Sequence, residues 1–240
     1  MLMTDSERIL GARHPTTLAT RERLAAAWLA NGKSREAIEH YKRLLADTEA
    51  AAGRDHHDTI AARASLASAY RRGGKLKDAI ALYQRVLADR ERIEGADHPD
   101  AIAALANLAY AYRSAGQLRE AIPAYERVLA DRERVQGPDH ADARTARANL
   151  AAAYQQAGRL GDAIHHYEQA VADTERMLGP GDPETLTTRS SLAAAVFADG
   201  RLMEAIALLR RTLADSEHYL GPDHPMSRTV RQNLEAATRT

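Results

Sequence analysis

The 240-residue sequence predicts an all-α solenoid of tandem helical hairpins, and three observations lead there. Gly11, Gly53, Gly95, Gly137, Gly179 and Gly221 each fall 42 positions after the last, and Gly32, Gly74, Gly116, Gly158 and Gly200 keep the same step. Inside each period, apolar residues return every three or four positions, the spacing of one face of a helix. No insertion breaks the register: the pairs Ala37-Ile38, Ala79-Ile80, Ala121-Ile122, Ala163-Ile164 and Ala205-Ile206 stay in phase along the whole chain.

The elements follow in order. Residues 1–10 read as the tail of a second helix whose front half is missing, because Asp5-Ser6-Glu7-Arg8-Ile9-Leu10-Gly11 aligns with Asp215-Ser216-Glu217-His218-Tyr219-Leu220-Gly221. Five units then run over 11–52, 53–94, 95–136, 137–178 and 179–220. In the third, Ile102, Leu105, Leu108, Ala109 and Tyr112 mark a first helix, A. After the break at Gly116, Leu118, Ala121, Ile122, Tyr125, Val128 and Leu129 mark a second, B. Roughly 16 and 18 residues per helix leave only short connections. Linkers such as Gly137-Pro138-Asp139-His140 supply a Gly able to end one helix, and in most units a Pro suited to the first turn of the next follows the His. Pro123 inside a B helix predicts a local bend and no break. Residues 221–240 read as a capping helix: the small position that receives helix B is Ala25, Ala67, Ala109, Ala151 and Ala193, but Glu235 in the sixth unit, where burial would be costly. On this reading the C-terminal end is a natural one, while the start is either the cut edge of a larger protein or a short native first helix.

Composition narrows the function. There is no Cys, and 33 basic residues balance 33 acidic ones, so a Cys-ligated metal site, a disulfide framework and a broad basic footprint for nucleic acid or membrane are all excluded. Neither a leader peptide nor an 18-residue apolar run is present, and a cytoplasmic chain is expected.

Units of this length also suit HEAT or armadillo repeats, and residues inside the unit decide. The pattern Leu108-Ala109-x-x-Tyr112, Gly116-x-Leu118-x-x-Ala121 and Tyr125 resembles the tetratricopeptide signature. With the Gly-Pro-Asp-His linker and Leu129-Ala130-Asp131-Arg132-Glu133-Arg134-Val135, it is similar to the 42-residue repeats of kinesin light chains and of bacterial regulatory proteins. The resemblance implies a right-handed superhelix whose A helices line a concave groove. Departures are Trp28 and Val196 at the helix A tyrosine, Leu209 at the helix B tyrosine, and Arg144 where other units have Leu18, Ile60, Ile102 or Leu186. The fourth unit is therefore expected to be poorly anchored at its start.

No catalytic constellation emerges. His14, His56, His98, His140 and His224 recur at one position with Asp182 completing the series, and these are expected to be helix caps, since neighbouring units lie too far apart to share a metal. The series Asp47/Glu49, Asp89/Glu91, Asp131/Glu133, Asp173/Glu175 and Asp215/Glu217 repeats in every unit, as a scaffold feature does. Arg21, Arg63, Arg147, Arg189 and Arg231 are expected to pair with it as an exposed ion ladder worth little per pair. No enzyme activity, cofactor or metal is expected.

The groove implied by the resemblance carries Ser65, Asn107 and Asn149 just before the helix A leucine, then Tyr110, Arg71 and Arg72, Arg113 and Gln156 one or two turns on. These are the candidate peptide-binding residues: related repeats use the Asn to hold a ligand's backbone, and the arginines call for an acidic segment. The expected function is a non-catalytic scaffold binding an extended protein or peptide segment, with no nucleic acid and no membrane. Two alternatives stand beside it: the sensor or autoinhibitory region of a larger bacterial regulator with an ATPase or transcription-factor part, and a self-assembling scaffold joined through residues 1–10.

Overall fold

A computed structural model describes residues 3–239. Helix follows helix: α1 (Met3–Leu10), α2 (Pro15–Ala30), α3 (Ser34–Ala52), α4 (His57–Arg72), α5 (Leu76–Glu94), α6 (Pro99–Ser114), α7 (Leu118–Gln136), α8 (Ala141–Gln156), α9 (Leu160–Leu178), α10 (Pro183–Ala198), α11 (Leu202–Leu220) and α12 (Pro225–Thr238). No strand occurs among the described residues. From α2 to α10 the A helices have 16 residues, and from α3 to α11 the B helices have 19, one more than the periodicity predicts.

Two kinds of turn hold the alternation. At the A-to-B turn, Gly74 takes φ +74°, and the Lys75 N–H donates back to the Tyr70 carbonyl at 2.8 Å, closing the helix with a left-handed glycine. At the B-to-A turn, Gly95 at φ +94° ends α5. Three residues later His98 starts α6, its Nδ1 accepting the Asp100 N–H at 3.2 Å. His14, His56, His140 and His224 accept from Thr16, Asp58, Asp142 and Met226 in the same way at 3.1–3.2 Å, and Asp182 accepts the Glu184 N–H at 2.8 Å. All six side chains satisfy one of the backbone donors that a helix N-terminus leaves free, as the series predicts.

The chain divides into two units, one up to Ala124 and one from Tyr125. In the first, each A helix packs on the B helices before and after it. Ala25 faces Ala37, and Ala67 faces Ala79, all fully buried, and the close approach these small pairs allow is filled in by Ile38, Tyr41, Leu66, Tyr83 and Leu108. Each such large side chain contributes roughly 1.5–3 kcal/mol by leaving water. The second unit repeats the scheme, with Ala151, Ala163, Ala193 and Ala205 buried and Val230 of α12 sealing the last layer. Glu235 is exposed on α12. Helix α7 runs unbroken through Pro123, which sits on its exposed side and has no N–H to donate to the carbonyl four residues earlier.

Two expectations are corrected. The arginine ladder is not an exposed set of ion pairs: Arg21, Arg63, Arg147 and Arg189 are buried. Arg189 donates at 2.5 Å both to Glu175 of the preceding B helix and to Asp215 of the following one. Arg21 bridges Glu7 and Asp47, and Arg147 bridges Glu133 and Asp173, in the same manner. A position seven residues into helix A faces the junction of two B helices, so its charge is desolvated and is matched by carboxylates there, two for Arg21, Arg147 and Arg189 and Asp89 alone for Arg63. Only Arg231, on α12, keeps substantial exposure, 2.5 Å from Glu217. The third unit has Leu105 at this position, and Asp131 pairs locally with Arg134 at 2.9 Å. Arg144, expected to loosen the fourth unit, is also buried and anchors it: Nη1 donates to the Asp139 carbonyl at 2.8 Å and Nε to Glu184 at 3.2 Å.

Candidate functional site

The outward faces of the A helices present the predicted binding residues, and the two units are taken in turn. In the first, Ser65 is half-buried on α4, while Asn107 and Tyr110 are exposed on α6. One substitution of chemistry organises this face. Tyr110 stands where α4 has Ser68, and its ring collects two cations: the Arg71 guanidinium lies 4.5 Å from its centroid and that of Arg113 lies 5.1 Å away. Arg71 comes from the last turn of α4, and Arg113 lies three residues after Tyr110 on α6, a spacing that places both side chains on one face. Both guanidinium groups lie within reach of the ring's quadrupole, which favours cations over its face, so Tyr110 gathers two positive side chains into one half-exposed cluster. Arg72 is not part of it. Adjacent helix residues diverge by about 100°, and the charge of Arg72 acts on Tyr41 of α3, whose phenol burial pushes up.

In the second unit Asn149 is half-buried on α8, and Gln156 is exposed at the same helix's end. The side-chain amides of Asn107, Asn149 and Asn233 have no hydrogen-bond partner among the described residues. They occupy one register position on α6, α8 and α12, and each has both a donor and an acceptor to offer.

Behind this face the aromatic residues of helix A are held in place. Tyr112 accepts from Gln84 at 2.8 Å. Tyr154 donates to Glu126, stacks on His166 with centroids 5.5 Å apart, and is covered by Arg159 at 4.4 Å. Burial and the Glu126 hydrogen bond push its phenol up to about 12. Lys33 over Trp28 and Lys75 over Tyr70 repeat the cation at the start of the next helix, a contact the sequence reading did not anticipate although the spacing is constant.

One grouping has ligand-like metal spacing, Glu94, His98 and Asp100. Arg90 already occupies it, pairing with Glu94 and lying 3.3 Å from Asp100, while the His98 Nδ1 is engaged by the α6 N-terminus. The sequence reading also passed over a pocket of about 350 Å³ in the second unit, bordered by Phe197, Leu209 and Asn233. Its signal was the loss of tyrosine at 209.

A face of this kind, repeated on successive helical hairpins, defines a helical-repeat interaction protein. The chain belongs to the tetratricopeptide repeat family: the family's profile matches residues 16–92, 58–134 and 101–176, and a second tetratricopeptide repeat profile matches 185–225. Among solved structures it is similar to a Podosopora anserina protein of kinesin-light-chain type with nearly identical TPR-like repeats, at 30% identity and a TM-score of 0.77, over 85% of this chain and 97% of that one. BtubC from P. vanneervenii shares the fold at 21% identity and a TM-score of 0.76, covering 93% of this chain and 89% of that one. So does a signal-transduction ATPase with a tetratricopeptide repeat sensor from Pyrococcus horikoshii, at 13% identity and a TM-score of 0.74, over 98% of this chain and 35% of the other. No curated protein sequence matches this one. Tetratricopeptide arrays are protein-protein interaction scaffolds, generally without catalysis of their own. No helix among the described residues is long and apolar enough to cross a membrane.

Proposed function

We propose that this chain is a cytoplasmic, non-catalytic adaptor, a single array of five repeats with a capping helix over 221–240, whose A-helix face holds an extended protein segment of acidic character. The observation that carries this reading is the pairing of Arg71 and Arg113 on the Tyr110 ring beside the unpartnered amide of Asn107. Two guanidinium groups in a fixed arrangement suit a carboxylate, and an amide at each register position suits a backbone that runs past it. Neighbouring A helices lie roughly 10 Å apart and an extended chain advances about 3.3 Å per residue, so each repeat matches about three ligand residues.

The test is an array of synthetic 12-residue peptides probed with the full chain, followed by anisotropy titration of the best binders. Acidic sequences are expected to dominate. Asn107→Ala with Asn149→Ala is expected to weaken them about tenfold, one to two lost hydrogen bonds, with helical content and melting temperature unchanged. Affinity that survives both substitutions together with Arg113→Ala removes the A-helix face as the binding surface. The alternative reading, the sensor region of a larger regulator, has behind it a likeness of fold to a Pyrococcus horikoshii signal-transduction ATPase with a tetratricopeptide repeat sensor, and it would use the same A-helix face.

A further inference from the structure

The fifth repeat departs from the others at both of its aromatic positions. Where α3, α5, α7 and α9 bury Tyr41, Tyr83, Tyr125 and Tyr167, α11 has Leu209. Where α4, α6 and α8 have Tyr70, Tyr112 and Tyr154, α10 has Val196. The following residue, Phe197, stands where the earlier repeats have Leu29, Arg71, Arg113 and Gln155, and it leaves 40% of its surface exposed whereas Leu29 is buried. Aromatic bulk has thus been withdrawn from the layer beneath and placed on the rim above. Between them lies the pocket of about 350 Å³, floored by Leu209, Ala193 and Ala237 and walled by Ala194, Phe197 and Asn233.

Its chemistry is specific. Among the described residues no charged one lines it, whereas the cavity of equal size in the first unit, between α2 and α4, is bordered by Arg13, Glu22 and Asp58. A charged group entering the Phe197 pocket would lose hydration without a partner, and an apolar one would gain by leaving water. The volume is at the small end for ligand sites, enough for one large side chain and too little for a cofactor. The one amide at the mouth, Asn233, has no partner among the described residues and sits at the register position of Asn107 and Asn149. We infer that this pocket anchors a single large apolar side chain, aromatic or aliphatic, of a bound polypeptide whose backbone is hydrogen-bonded by Asn233. The inference rests on the adaptor reading in placing a polypeptide on the A-helix face. It adds that the second unit selects by an apolar anchor, where the first selects by charge.

The probes are N-acetyl-phenylalanine amide, N-acetyl-leucine amide and N-acetyl-aspartate amide, which carry one side chain between two backbone amides. Each is titrated into the isotope-labelled full chain and followed by NMR. The phenylalanine and leucine compounds are expected to shift the Ala194 and Phe197 backbone signals and the Asn233 side-chain amide saturably, with Kd about 1 mM for a ligand this small. The aspartate compound is expected to give no saturable shift there. Leu209→Tyr restores the residue of the other repeats, so it keeps the fold while filling the pocket, and at least a tenfold loss of phenylalanine-amide binding is expected. Phe197→Arg, the residue at positions 71 and 113, is expected to do the same from the rim. Absence of a saturable shift at Phe197 and Asn233, or undiminished binding in both variants, overturns the inference. Failure here is separable from failure of the adaptor reading, which is decided by the peptide array and the Asn107 and Asn149 substitutions.

Discussion

Arg189→Leu isolates what a buried member of the arginine ladder does. The Arg189 side chain is 0% exposed, and its two terminal nitrogens each lie 2.5 Å from a carboxylate whose side chain keeps 26% exposure, Glu175 on one side and Asp215 on the other. Taking one partner out of a fully buried pair costs about 3–5 kcal/mol because the remaining charge is stranded. Here water still reaches the carboxylates, and Glu175 retains Arg211 at 3.1 Å, so the lower end, about 3 kcal/mol, applies. Leucine is a fair replacement in shape, since Leu105 occupies the same position in the third unit. For a chain of this size that loss corresponds to a melting temperature lower by roughly 6–12 °C. Because repeat arrays unfold in segments, circular-dichroism melts at pH 7 should be paired with hydrogen exchange localised to α9, α10 and α11. Adding Glu175→Gln and Asp215→Asn removes the stranded charges, and this triple variant is expected to recover most of the loss. A single variant that melts within about 2 °C of the parent, or a triple variant no better than the single, would show that the stem of the arginine, and not its charge, holds the junction.

Two further outcomes test the caps and the half-buried imidazoles. His140→Ala is expected to cost about 1 kcal/mol, the ordinary worth of an N-cap, and His140→Asp almost nothing, because Asp182 already performs this role in the next repeat; denaturant titration of the two variants checks it. His40 and His166 are both shifted below the usual histidine value, first by burial and then by neighbouring positive groups, Arg43 and Arg21 for His40, and His165 and Arg147 for His166. The unfolded chain therefore binds protons at a higher pH than the folded one. Stability from these residues is complete above about pH 6.5 and is lost as pH falls through the depressed folded values. Melts between pH 7.5 and 5 are expected to show this decline, and a variant with His40→Gln and His166→Gln should show a smaller one.

Much of this fold is legible in the sequence because a repeat multiplies every local signal. A lone Gly is ambiguous, but eleven in two series of 42-residue steps locate each turn, and every one of them has positive φ. The histidine series was readable as capping through its exception, since Asp182 shares with histidine an acceptor and not a metal preference. The arginines were misjudged for a physical reason. A helix seventh residue that faces one neighbour is normally at a surface, and only in a stacked array does it face two B helices at once, which periodicity along a single chain does not display. Arg144 follows the same logic: a cation at an apolar position reads as a defect until the Asp139 carbonyl and Glu184 are brought to it by the loop and the next A helix, α10.

Departures from the repeat, and not the repeat, hold the two contact points proposed above. Positions that build the array, such as Ala25, Ala67, Ala109, Ala151 and Ala193, are held constant, as stacking demands. On the outward face the same register slot holds Ala26, Ser68, Tyr110, Ala152, Ala194 and Ala236, and only one of these, Tyr110, can orient two guanidinium groups. The slot three residues on holds Leu29, Arg71, Arg113, Gln155, Phe197 and Arg239; Leu29 is buried, and Phe197 is the one exposed aromatic among them. A scaffold under no demand but stacking would leave these slots to helix propensity, and Phe and Tyr are poor choices for an exposed helix surface by that measure. Tyr110 and Phe197 are each accompanied by a second change in the same layer, the arginine pair for one and the loss of Tyr at 209 for the other. Paired departures of this kind support the two proposed contact points, one cationic and one apolar, and they are where substitutions should separate binding from stability.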